Sequence, residues 1–125
     1  MKNYKKIDTI SKIKRTIMQE RIDLIVKILD EKKAENIKTI DMSEQEYFVK
    51  YVIIAATLGE RHALSLIDEL KTQLKAKGEE FLNIDSSEEW SVIDLGDILI
   101  HLLTPEHRGI YNIEELLENL KKGRV

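Results

Sequence analysis

The stretch WSVIDLGDILIHLL, Trp90 to Leu103, constrains the fold of this chain more tightly than any other segment. Two apolar-rich runs flank Gly96-Asp97. Glycine at the first position of a two-residue loop supplies the positive φ that a type II′ hairpin needs. Pairing outward from Leu95 and Ile98 sets Asp94 opposite Leu99, Val92 opposite His101 and Trp90 opposite Leu103. Ile93 then faces Ile100, and Ser91 faces Leu102. Strand side chains alternate between faces, so one face carries Ile93, Leu95, Ile98, Ile100 and Leu102, a plain core surface. The other carries Trp90, Val92, Asp94, Leu99, His101 and Leu103. A tryptophan and aliphatics mixed with an acid and a histidine are not what a solvated strand shows. Two readings stay open. In one, a helix covers this face, and Asp94 and His101 share hydrogen bonds as diagonal neighbours. In the other, part of it faces a protein partner, where tryptophan and apolar side chains act as anchors.

The rest of the chain is cut by one proline, Pro105, and five glycines. Ile7, Ile10, Ile13, Ile17 and Met18, continued by Ile22, Ile25, Val26 and Leu29, recur at helical spacing and predict one bent helix or two over about 5–33. NIKTIDM (36–42) reads as a short strand with Ile37, Thr39 and Asp41 on one parity. The β-branched and aromatic run 47–57 reads as a second strand, buried from Val52 to Ala56. Over 59–78, Ala63, Leu66, Ile67, Leu70 and Leu74 form an apolar helical stripe. Lysines gather in its last turn and Gly78 provides the stop. EFLNID (80–85) predicts a strand ahead of the hairpin. NIEELLENLKK (112–122) predicts a final helix, with Asn112 and Glu115 as a capping box. The order is helix, two strands, helix, three strands, helix: an α/β fold, a mixed sheet of about five strands flanked by helices.

Charge divides the chain. Residues 1–20 hold six basic and two acidic side chains, a net +4, and the remainder holds fourteen and twenty-one, a net −7. We read 1–20 as a basic, helical N-terminal extension and 21–125 as the domain proper. The acidic body is a poor match for a nucleic-acid backbone, so any such contact is minor and runs through residues 1–20. Cysteine is absent, which removes disulfides and thiolate metal sites and suits a cytoplasmic protein. No apolar run reaches the ~20 residues of a membrane span, and the start lacks the apolar core of a secretory signal.

Catalysis finds little support. Asp41, His62, Asp94, Asp97, His101 and His107 are the candidate groups, but Asp94 and Asp97 lie three apart across a turn and point differently. That does not match a two-metal phosphoryl-transfer site. No phosphate-binding loop, serine-nucleophile elbow or zinc-protease motif occurs. No catalytic residue, metal or cofactor is expected. Asp97 reads as a turn residue whose carboxylate bonds nearby backbone amides.

NIKTIDMS, FVKYVIIAATLGERHALSLIDEL and WSVIDLGDILIHLLTPEHRGIYNIEELL, in this order and spacing, resemble the ribosomal silencing factor family, RsfS or Iojap-like, over about residues 21–120. Trp90, Asp94, Gly96, Asp97, His101, Pro105, Arg108 and Tyr111 carry the resemblance most specifically. Lys50 stands where the family usually has an acid, Leu58 and Glu60 interrupt its Thr-Gly-x-Ser run, and Leu117 replaces its last tryptophan. The resemblance implies a nucleotidyltransferase-like topology without the catalytic acids, hence no enzyme. It implies a translation repressor that binds the large ribosomal subunit through large-subunit protein fourteen and sterically blocks subunit association when nutrients are scarce. It also implies a possible homodimer. The alternative is a nucleotidyltransferase-related metal- or nucleotide-binding enzyme. On the family reading Trp90, Leu95, Leu99 and Leu103 bind the partner. Asp41, Tyr51, Arg61, His62, Asp94, Gly96, Asp97, His101, Arg108 and Tyr111 hold the surrounding structure and rim.

Overall fold

The computed structural model describes the backbone of residues 2–123 and the side chains of residues 9–123. Its elements are α1 (Lys2–Glu31), β1 (Glu35–Asp41), β2 (Tyr51–Ala56), α2 (Glu60–Ala76), β3 (Asn83–Ser86), β4 (Trp90–Asp94), β5 (Ile98–Leu103), α3 (Pro105–Tyr111) and α4 (Ile113–Lys121). The expected α/β architecture is present: five strands in the order β1-β2-β5-β4-β3, antiparallel except for the central β2–β5 pair. The hairpin register matches the pairing read from the sequence at all five positions, from Trp90↔Leu103 to Asp94↔Leu99.

The first two helices end in the same way. Lys33 at φ 70° and Gly78 at φ 90° take left-handed conformations. Beyond them the N–H groups of Ala34 and Glu79 donate to the carbonyls of Leu29 and Leu74. That is the Schellman arrangement, which satisfies helix-end carbonyls and turns the chain sharply. A lysine fills the first of these glycine-type positions.

The two faces of the sheet bury separate cores. On one, Ile22, Ile25, Ile28 and Leu29 of α1 and Leu66, Ile67, Leu70 and Leu74 of α2 pack on Ile53, Ala55, Ile93, Ile98, Ile100 and Leu102. On the other, Leu117 of α4 and Met42 and Val49 of the β1–β2 connection pack on Ile40, Val52, Ile54, Leu99 and Leu103. The segment 47–50 lies outside β2, so the second strand is shorter than its composition suggests. Val49 nevertheless reaches the core, at 2% exposure.

The structure adds α3, which the sequence reading left out. Thr104 caps it by accepting from the His107 N–H, and Pro105 opens its first turn, a pairing whose physics is general. Asn112, at φ 43° and ψ 51°, closes α3 and opens α4. The expected capping box is not formed in the usual sense. The Asn112 amide contacts the Glu115 carboxylate side chain to side chain, and no side-chain cap bond to the backbone is made.

Candidate interaction surface

Trp90 opens β4 and is only half-buried. Its indole Nε1–H donates to Nδ1 of His101 at 3.1 Å. The Tyr111 ring packs on the indole with centroids 4.8 Å apart, and His107 follows at 5.9 Å from Tyr111. His107 is fixed in turn by Thr104 and by the Glu89 carboxylate. A short aromatic row therefore runs from the edge of β4 across α3. Tyr111 is 53% exposed and its neighbour Ile110 66%.

His101 is the interior end of this row. It is 8% exposed, and burial pushes its pKa down to about 4. The cause is desolvation, which disfavours the charged imidazolium. Because Nδ1 accepts the indole N–H, the neutral ring carries its proton on Nε2. Asp94 does not share hydrogen bonds with His101 as the diagonal pairing suggested. Its carboxylate turns to the hairpin and accepts the Gly96 N–H at 2.8 Å.

Of the four residues expected to meet a partner, three belong to the core. Leu95 is 7% exposed, Leu99 6% and Leu103 0%. Leu95 packs with the α1/α2 face, as strict alternation demands, while Leu99 and Leu103 lie in the core that contains Leu117 of α4. The two readings left open for this face thus divide it. The chain's own helix and β1–β2 connection cover its centre, and Trp90 at the edge remains accessible beside Tyr111. Tyr111, expected in a supporting role, is part of the exposed surface.

Most of the other expected residues are engaged within the fold. Gly96 has φ 95°, and a Cβ there would come within 3.3 Å of Leu82 Cδ1. Asp97 is more than a turn residue. Its backbone carbonyl accepts from Lys50 and Tyr51, and its carboxylate takes two hydrogen bonds from Arg21, at 2.6 and 2.8 Å. Arg21 also holds Glu79 at 2.7 and 2.9 Å, so one guanidinium joins α1, the end of α2 and the hairpin tip. Arg21 holds the Asp97 carboxyl below the usual carboxylate range. Sequence reasoning missed Arg21, and no local signal marks a partner 76 residues away. Tyr51 OH donates to Asp41, which also accepts the Ser43 N–H. His62 accepts the Leu58 N–H on Nδ1, and its Nε2 meets the Lys32 carbonyl at 2.7 Å, fastening the end of α1 to the start of α2. Arg61 beside it is exposed. Arg108 binds Glu114, which also holds Lys38, locking α3, α4 and β1 together.

Asp41, Asp94 and Asp97 therefore have separate partners and do not converge. Among the described residues no cluster of histidines and acids is placed to hold a metal ion. Within the same residues no helix is long and apolar enough to cross a membrane.

The family model described as "Ribosomal silencing factor during starvation" matches residues 15–124. A ribosomal silencing factor of Halalkalibacterium halodurans is 30% identical over 100 residues, covering 78% of this chain and 86% of that protein. A mouse protein named "Mitochondrial assembly of ribosomal large subunit protein 1" is 26% identical over 100 residues, 76% of this chain and 44% of its own length. A crystal structure of a protein from Chromobacterium violaceum superposes with a TM-score of 0.75 at 27% identity, covering 80% of this chain and 85% of that one.

Proposed function

Because this chain belongs to the ribosomal silencing factor family, a family of translation regulators and not of enzymes, we propose that it docks on the large ribosomal subunit and blocks subunit association by bulk. The proposed contact is large-subunit protein fourteen, and the proposed place of action is the cytoplasm. The mouse relative's name, which mentions the large subunit, supports the choice of subunit. The observation that carries the reading is the aromatic edge. Trp90 is held from behind by His101 and from the side by Tyr111, and it keeps part of its indole accessible on a rigid strand. A pre-positioned aromatic loses little conformational freedom on binding, which is why such residues dominate interface energetics.

Docking then needs no chemistry at the site. An obstructing protein must hold its place against the other subunit, and the separate engagement of Asp41, Asp94 and Asp97 suits that role.

Co-sedimentation with purified large subunits tests the reading, with a subunit-joining assay in parallel. Tyr111→Ala and Trp90→Ala, each verified as folded by circular dichroism, are expected to weaken binding by about 1–3 kcal/mol, roughly fivefold to 150-fold. Wild-type chain that stays in the supernatant and leaves joining unaffected would overturn the function. Wild-type binding with both folded variants unimpaired would overturn the surface.

A further inference from the structure

We infer that the aromatic edge is shaped for a cationic protein surface, one that offers lysine or arginine side chains around an apolar pocket, and that RNA phosphates stay outside the contact. This rests on the proposed docking role and specifies the chemistry that the docking meets.

The centre of the surface is apolar and uncovered. Trp90 is half-buried at the start of β4, and Tyr111 packs on its indole. Tyr111 and the adjoining Ile110 are 53% and 66% exposed. Apolar side chains gathered at one edge of a folded protein mark a place where another molecule sits. They do not say which molecule. Charge does.

Thirty consecutive residues, 78–107, hold eight acids and no lysine or arginine. Three of these acids are engaged within the fold: Arg21 holds Glu79 and Asp97, and Asp94 accepts the Gly96 N–H. The other five, Glu80, Asp85, Glu88, Glu89 and Glu106, are exposed. Four of them border the aromatic edge. Glu88 and Glu89 lie in the turn that leads into Trp90, a turn closed by the Ser87 N–H on the Trp90 carbonyl. The Glu89 carbonyl accepts the Thr104 N–H, which brings this turn against the start of α3, where Glu106 stands. Asp85 pairs with Val92 across the β3–β4 ladder. Directly opposed residues share a face, so Asp85 lies on the face that carries Trp90. The arginine that ends the stretch, Arg108, is held by Glu114 and is only 13% exposed.

Affinity for a nucleic-acid backbone comes from lysine and arginine neutralising phosphates. An edge bordered by four carboxylates repels phosphate instead. Opposite charge across a rim draws a partner in and rejects wrong ones, while the apolar centre sets how long it stays.

Binding of purified large ribosomal subunits to the immobilised chain, followed in time at several salt concentrations, tests this. Glu89 also fixes His107, so Glu88 and Glu106 are the rim positions to change. Two charge-reversed proteins are compared, each verified as folded by circular dichroism. One carries Glu88→Lys with Glu106→Lys. The control carries Asp30→Lys with Asp68→Lys, the same change in net charge at exposed positions of α1 and α2, which cover the opposite face of the sheet. At low salt the rim variant is expected to associate roughly tenfold more slowly than the control. The gap is expected to narrow as salt rises, because the screening length falls from about 10 Å at 0.1 M to about 3 Å at 1 M. Trp90→Ala is expected to act mainly through faster release. A rim variant that associates at the control's rate would overturn the inference and leave the docking role intact. One that binds faster or more tightly than the control would also overturn it and assign the edge to RNA. Wild-type chain that fails to bind large subunits would overturn the docking role and this inference together.

Discussion

Lowering the pH should unfasten the aromatic row at its interior end. His101 has a folded pKa of about 4 against an ordinary value of 6.5. Between these values the unfolded chain binds a proton that the folded chain refuses, so stability rises with pH across the window. The contribution is fully present above pH 6.5 and is lost as pH falls toward 4. At 1.36 kcal/mol per unit, the loss relative to neutral pH is on the order of 1 kcal/mol at pH 5.5 and about 2 kcal/mol at pH 4.5. The structure adds a second reason for this direction. Nδ1 accepts the Trp90 N–H, and a protonated Nδ1 would face that donor with one of its own. Urea denaturation by circular dichroism at a series of pH values measures the effect, and His101→Gln isolates it. Glutamine retains an oxygen that accepts from the indole but does not titrate. Wild type minus variant should slope by roughly one proton's worth, near 1.4 kcal/mol per pH unit, through the middle of the window. The only tryptophan, Trp90, reports the same event through its fluorescence. Equal slopes in the two proteins would refute the reasoning, as would a His101 ring titrating at or above 6.5 by NMR.

Two further outcomes follow from the hairpin tip. Arg21→Met should cost about 1–3 kcal/mol in urea melts, because it strands Glu79 and Asp97 in a partly buried site. Asp97 should then titrate nearer 3.8, and its contribution, present above that value and lost as pH falls through the depressed folded pKa, should vanish; an unmoved carboxyl resonance would contradict the assigned pairing. Gly96→Ala should destabilise by about 1–2 kcal/mol, since φ 95° is strained for any side chain and its Cβ would press on Leu82. A neutral result would mean that the turn relaxes freely.

What the sequence disclosed, and what it hid, separates by range of interaction. The hairpin register was legible because Gly96 fixes the turn and alternation does the rest. The buried stripe of α2 was legible for the same local reason: Ala63, Leu66, Ile67, Leu70 and Leu74 recur at the helical period and all five are buried. Helix α3 was not read from the sequence: its start is marked by Thr104-Pro105, but at seven residues it carries no buried residue and no apolar period. Arg21 was not legible. A charged residue within a helix reads as solvated surface until Glu79 and Asp97, distant in sequence, are brought to it.

Burial of the hairpin's second face shows where pattern reasoning must stop. Alternation assigns Trp90, Leu99 and Leu103 to one side, yet says nothing of what lies over that side. The cover comes from α4, whose Leu117 is fully buried, and from the β1–β2 connection through Met42 and Val49. The connection touches the hairpin tip through the Lys50 N–H on the Asp97 carbonyl, but neither element lies in the ladder over the hairpin's second face, so no register rule reaches them. Position along the strand decides the outcome instead. Leu99 and Leu103 belong to β5, which is flanked by β2 and β4, whereas Trp90 begins β4, which has only the short β3 beyond it. Trp90 lies one residue beyond the β3 ladder, whose last pair is Ser86↔Ser91, so it has a strand neighbour on the β5 side alone. Tyr111 and His101 fill two directions around it, and the direction left over is the accessible part of the residue, which is half-buried and not fully enclosed.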